Sequence, residues 1–257
     1  MVIIGGGEDK EGDCEILREV SLHLKGRPLI VATVASQAPE EYFKVYASTF
    51  KRLGVKHTSE LYVHDRSEAL HPELAEVFSK SAGIFFTGGD QLRIASQIGD
   101  TPIEREVKRL WERGGIVAGT SAGASVMSET MLVKGSNAES HRIGDLHMAP
   151  GLGLLPGVII DQHFAQRGRI GRLLGAVAQN PRVLGIGIDE DTAIVVQNDA
   201  FSVIGAGAVY IVDGSKVTRS NIAEGEPDKA LLMCDVTLHV LSKGARFDLA
   251  NRRPQIL

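Results

Sequence analysis

The sequence predicts an α/β fold: a three-layer α/β/α sandwich whose sheet is mostly parallel, with antiparallel hairpins toward the C-terminus. Three observations carry this expectation. Short apolar runs bounded by glycine read as strands buried on both faces. Stretches of helical periodicity alternate with them through about residue 190, as right-handed βαβ units require. In the last third, turn-forming pairs at Asn198-Asp199 and Asp213-Gly214 break up alternating strands.

Taken in order, Pro28–Val34, Gly83–Phe86, Gly115–Ala118 and Val183–Ile188 are the expected buried strands. Pro72–Ser81 reads as a crossover helix. Pro102–Arg113 is the clearest helix, with Ile103, Val107, Leu110 and Trp111 on one face. Thr101 stands at its N-cap, Pro102 at the first helical position and Glu104 where a capping box needs it. Thr192–Gln197 and Ala200–Ile204 form one expected hairpin, and Ala208–Val212 with Lys216-Val217 a second.

The 257 residues, 43% hydrophobic and 23% charged, suffice for a large core, and no Pro/Ser-rich or charged linker divides them. A single domain spanning 1–257 is expected. A formal net charge of −4 gives no reason to expect nucleic acid or an anionic membrane as a partner. Cys14 and Cys234 are far apart and belong to no CxxC pair, which fits a reducing cytoplasm. The start, Met1-Val2-Ile3-Ile4-Gly5, lacks the basic segment and longer apolar run of a signal peptide, and no apolar stretch approaches about 18 residues.

Parallel sheets carry their chemistry at the carboxyl ends of strands. There, Gly119-Thr120-Ser121-Ala122-Gly123 matches the G-x-S-x-G nucleophile elbow between a strand and a helix. Gly88-Gly89-Asp90-Gln91 ends another strand. Amides of Gly89, Asp90 and Ala122 are the candidate oxyanion donors. A serine hydroxyl needs a base, and among eight histidines His163 follows a short strand in Asp161-Gln162-His163-Phe164. For the orienting carboxylate, Glu190 in Asp189-Glu190-Asp191 is the first choice and Glu139 the rival. Arg167, Arg169 and Arg172 place three guanidiniums in a stretch of six residues just after the base, a local anion site in an acidic chain. No HExxH or CxxC spacing suggests a metal.

Together GGDQ, GTSAGA and DQHF-x-QRGR, present here in that order, resemble the cyanophycinases, serine peptidases of the dipeptidase E type in peptidase family S51. The resemblance spans most of the chain and implies a class I glutamine amidotransferase-like (flavodoxin-like) fold, a homodimer and no cofactor. It implies hydrolysis of cyanophycin, a polyaspartate backbone with arginine on each side-chain carboxyl, to β-Asp-Arg dipeptides. On matching positions it makes Ser121 the nucleophile, His163 the base and Glu190 the acid, with Gln91, Asp161, Gln162, Arg167, Arg169 and Arg172 in the substrate pocket. The competing expectations are an α-aspartyl dipeptidase, which the arginine cluster disfavours, and an inactive polymer-binding relative, which the intact triad positions disfavour.

Overall fold

A computed structural model describes residues 1–134, 142–223, 226 and 228–255. The first half runs β1 (Val2–Ile4), α1 (Glu15–Leu24), β2 (Leu29–Ala32), α2 (Pro39–Arg52), β3 (Thr58–Leu61), α3 (Arg66–Ala69), β4 (Gly83–Phe86), α4 (Gln91–Ile98), α5 (Pro102–Glu112) and β5 (Ile116–Thr120). There follow α6 (Ala122–Ser125), β6 (Thr130–Lys134), β7 (His147–Pro150), β8 (Val158–Gln162), α7 (Ile170–Gln179) and β9 (Leu184–Ile188). The last third is extended: β10 (Thr192–Gln197), β11 (Ala200–Gly205), β12 (Ala208–Asp213), β13 (Arg219–Ser220), β14 (Met233–Cys234), β15 (Thr237–Ser242), β16 (Arg246–Asp248) and β17 (Arg253–Gln255).

Nine strands form the main sheet in the order β17-β16-β11-β10-β1-β5-β4-β2-β3. From β1 to β3 every pairing is parallel, and from β1 to β17 every pairing is antiparallel. Alternation along the strands divides the core. Val2, Ile4, Val31 and Phe85 face α1 and α2, whose Leu17, Val20 and Phe50 cover them. Ile3, Ile30, Ile84 and Phe86 face the opposite way, toward Ile94 and Ile98 of α4 and Ile103 and Val107 of α5. Burial of such side chains on both faces is worth roughly 1.5–3 kcal/mol each.

A second sheet, β15-β12-β9-β8, was not foreseen. Its β8 and β9 are parallel, as their βαβ pattern suggested, but they do not join the main sheet. Both faces of these strands are covered: Ile160, Ile186 and Ile188 share one core with Ile3 and Ile194, while Ile159 faces Leu173 and Val177 of α7. One face is thus needed against the main sheet and the other under a helix.

Two further expectations change. Ala208–Val212 does not pair with Lys216-Val217; β12 lies between β9 and β15, because Asp213 closes a local turn by accepting Ser215 N at 2.9 Å. At α5, Thr101 donates its hydroxyl to Ile98 O at 2.6 Å instead of capping the helix. Glu104 Oε2 accepts from Asp100 N, so the reciprocal bond moves one residue upstream. Pro72–Ser79 is wound as 3₁₀ turns rather than as an α-helix.

Candidate active site

The carboxyl ends of β1, β4, β5, β8 and β9 converge, and the last two belong to the second sheet. Between β5 and α6, Ser121 adopts φ 54°, ψ −112°. A non-glycine residue in such a conformation costs about 1–3 kcal/mol and persists where its surroundings hold it. Here Ser121 N donates to Ile4 O at 3.0 Å, and Ala124 N and Ser125 N donate to Ser121 O at 3.0 and 3.1 Å. The strained turn lifts the hydroxyl clear of the backbone.

That hydroxyl lies 2.9 Å from His163 Nε2, and His163 Nδ1 lies 2.5 Å from Glu190 Oε1. A carboxylate only accepts, so Nδ1 carries the proton and Nε2 is free to take one from Ser121. The imidazole is mostly buried, whereas Glu190 is partly exposed. Burial is the largest influence on His163 and lowers its pKa below the usual histidine value. The Glu190 hydrogen bond opposes this, and the charge of Arg167 adds to it. A neutral base is what nucleophile activation requires. Glu139 lies outside the described residues, so Glu190 is the carboxylate that can be placed beside the ring.

Gly88 and Gly89 border Ser121, and the amides of Gly89 and Ala122 donate to no other group among the described residues. They are available to a developing oxyanion. Asp90 is not: its amide donates to Ala35 O at 3.0 Å and its carboxylate caps α4 through Leu92 N at 2.8 Å. The same close approach makes glycine necessary at 89, where φ is +140° and a Cβ would stand 2.1 Å from Ala35 O.

A cavity of about 710 Å³ opens over Ser121 and His163, bounded by Gln91, Gln162, Arg167, Arg169 and Arg172. Gln91 Nε2 is tied to Leu132 O at 2.7 Å, and Gln162 Oε1 lies 3.5 Å from Ser121 Oγ. Asp161 differs from the expectation that it lines the pocket: it is 1% exposed and sits behind the arginines. Its Oδ2 accepts from Arg172 Nε at 2.6 Å, and its Oδ1 takes both Arg172 Nη2 and Arg169 Nη1, the latter at 3.3 Å. Two of the three guanidiniums therefore share one carboxylate, which leaves the wall positive. Burial lowers the Arg169 pKa to about 10, still charged at neutral pH.

Sequence reasoning passed over the loop after β1. Gly5 O accepts from His163 N at 2.7 Å, and Gly6 O accepts from Asp191 N at 2.8 Å. Gly6, at φ +102°, lies so close beneath the imidazole that a Cβ would come within 2.4 Å of it. Glu8, 3% exposed, accepts the hydroxyls of Tyr46 and Thr120, both at 2.6 Å, so it ties α2 to the residue preceding Ser121. The available signal was Gly5-Gly6-Gly7 at a strand's carboxyl end, the same cue that singled out Gly88-Gly89. Among the described residues, no group of three His, Cys, Asp or Glu side chains is arranged to hold a metal ion.

The family model for peptidase family S51 matches residues 1–204. The chain belongs to this family. Three relatives of this S51 peptidase are cyanophycinases. That of Geminocystis herdmanii is 39% identical, covering 99% of this chain and 95% of the relative. Those of Synechococcus elongatus and Trichormus variabilis are 36% and 38% identical, covering 99% and 98% of this chain and 80% and 86% of theirs. In fold, the S51 peptidase resembles a crystal structure of a peptidase from an acI-B1 Actinobacterium, with TM-score 0.68 at 24% identity over 92% of this chain and 95% of that one. A putative peptidase E from Listeria monocytogenes is more distant, with TM-score 0.53 at 14% identity over 80% and 98%.

Proposed function

We propose that this S51 peptidase hydrolyses cyanophycin to β-Asp-Arg dipeptides through an acyl-enzyme on Ser121. The observation that carries the reading is the opening of the Ser121–His163–Glu190 relay and three arginines into one cavity. A substrate that carries a free carboxylate on the arginine of every repeat, beside the amide to be cut, needs both. The curated cyanophycinases, similar over nearly the whole chain, support the same substrate.

In this reading the arginine wall holds substrate carboxylates, for which the planar guanidinium provides paired donors. Ser121 Oγ attacks a backbone aspartyl carbonyl as His163 Nε2 takes its proton. The Gly89 and Ala122 amides receive the oxyanion. Collapse breaks the C–N bond, and His163 returns the proton to the leaving amine. Water, deprotonated by the same imidazole, then cleaves the Ser121 ester. Gln91 and Gln162 border the reacting carbonyl, and Asp161 keeps Arg169 and Arg172 in place.

A homodimer and a cytoplasmic location belong to the same proposal. The first rests on the family resemblance; the second rests on the free thiols of Cys14 and Cys234. Among the described residues, no helix is long and apolar enough to cross a membrane.

The test is incubation with insoluble cyanophycin and, separately, with Asp-Xaa dipeptides. Soluble β-Asp-Arg from the polymer is the expected product, and cleavage of the dipeptides alone would identify an α-aspartyl dipeptidase instead. Ser121→Ala is expected to lower hydrolysis by at least about 10³-fold while still co-sedimenting with the polymer.

A further inference from the structure

Cyanophycin presents two charges per repeat, and the arginine wall answers only one of them. The substrate guanidinium needs a carboxylate, and Asp161 is enclosed by Arg169 and Arg172. Of the described residues lining the cavity, only Glu8 and Glu41 are acidic. Glu8 is occupied: Tyr46 and Thr120 donate their hydroxyls to it, Lys10 Nζ lies 3.0 Å from Oε1, and the side chain is almost wholly enclosed. Glu41 is exposed in the first turn of α2 and has neither an ion pair nor a side-chain hydrogen bond among the described residues. Lys10, the lysine lining this cavity, is held by Glu8 and lies over the Tyr46 ring at 5.3 Å.

An exposed glutamate at a helix start is ordinary by itself, since the helix dipole favours it there. Its neighbours are not ordinary. Tyr42 and Val45, 41% and 48% exposed, are large apolar side chains turned to the same cavity. Glu41 and Val45 are four residues apart and so share a helix face, with Tyr42 beside them. Tyr46 anchors this turn from below, its ring 4.8 Å from that of Phe85 and its hydroxyl on Glu8. A guanidinium is planar and weakly hydrated, so it binds best where a carboxylate takes its edge and an aromatic or aliphatic surface takes its face.

We infer that the Glu41–Tyr42–Val45 face of α2 is the subsite for the substrate's guanidinium, with Glu41 as its counter-charge. The inference rests on the cyanophycin reading, and it makes α2 the source of selectivity for arginine over a neutral side chain of equal shape.

The test compares synthetic β-Asp-Arg oligomers with matched oligomers carrying citrulline, in which a neutral urea replaces the guanidinium. Wild type should favour the arginyl oligomer by about tenfold or more in kcat/KM. Glu41→Gln should lose most of that preference through a raised KM on the arginyl oligomer. Tyr42→Ala should weaken binding of the arginyl oligomer further, by several-fold. If wild type cleaves the arginyl oligomer and Glu41→Gln keeps the full preference, the subsite is wrong and the cyanophycin reading stands. If wild type cleaves neither oligomer nor the polymer, both fall.

Discussion

At the scale of single residues, the proposed chemistry turns on the protonation of His163. Burial pulls its pKa below the usual value near 6.5, the Glu190 hydrogen bond resists, and Arg167 assists by repelling the imidazolium. The base works when neutral, so kcat/KM should rise with pH along an acid limb whose midpoint lies below 6.5. Arg167→Gln removes a positive charge and should move that midpoint upward. Glu190→Gln removes the group that favours the charged ring, so it should move the midpoint downward; with the tautomer no longer held, kcat should fall by as much as about 10⁴-fold. Profiles of kcat/KM between pH 4 and 8 would check both directions, and an unchanged midpoint in Arg167→Gln would remove that arginine's assigned influence. Much of this site was legible in the residues. Ser121, His163 and Glu190 each follow an apolar strand, and that placement marked them. What the residues did not reveal is backbone hydrogen bonding: Asp90 was as good an oxyanion candidate as Gly89 until its amide was found on Ala35 O.

At the scale of elements, α7 is built against its own dipole. Arg169 stands at its N-cap and Arg172 in its first turn, where positive charge is disfavoured. Asp161, at the end of β8, offsets this by accepting from both. All three side chains are almost fully enclosed, so Asp161→Asn should cost about 3 kcal/mol by leaving two buried guanidiniums undercompensated. In a chain of this size that corresponds to a drop of roughly 10 °C in Tm by thermal melting, accompanied by a raised KM as the arginine wall loosens. A melt within about 1 °C of wild type would show that the pair contributes little. The helical reading of this segment was available from Ile170, Leu173 and Leu174, which turn to the core. The role of Asp161 was not, because in sequence a carboxylate beside three arginines fits a ligand contact and an internal counter-ion equally well.

At the scale of the whole molecule, the site exists because two sheets meet. Ser121 rides on the main sheet, while His163 and Glu190 ride on the second, and the loop after β1 joins them through Gly5 O to His163 N and Gly6 O to Asp191 N. Gly6→Ala should therefore act on turnover rather than on binding. Its Cβ would push the imidazole, and a displacement on the order of 1 Å at a reacting group costs about 10²-fold in kcat. Steady-state kinetics should give that loss with KM within about twofold, and full turnover would show that the ring tolerates the shift. The sequence by itself determined the α/β class, the buried strands, the elbow at Ser121 and the candidate base. These depend on local periodicity and on small residues at a strand end, both of which are written in consecutive positions. Only the tertiary structure decided that β8 and β9 leave the main sheet, that Asp161 lies behind the arginines, and that Glu8 and the glycine loop tie together the segments carrying Ser121, His163 and Glu190. The physical reason is common to all three: they depend on which apolar face covers which and on which backbone donors are already used, and those pairings join residues distant in sequence, as with Gly6 O and Asp191 N.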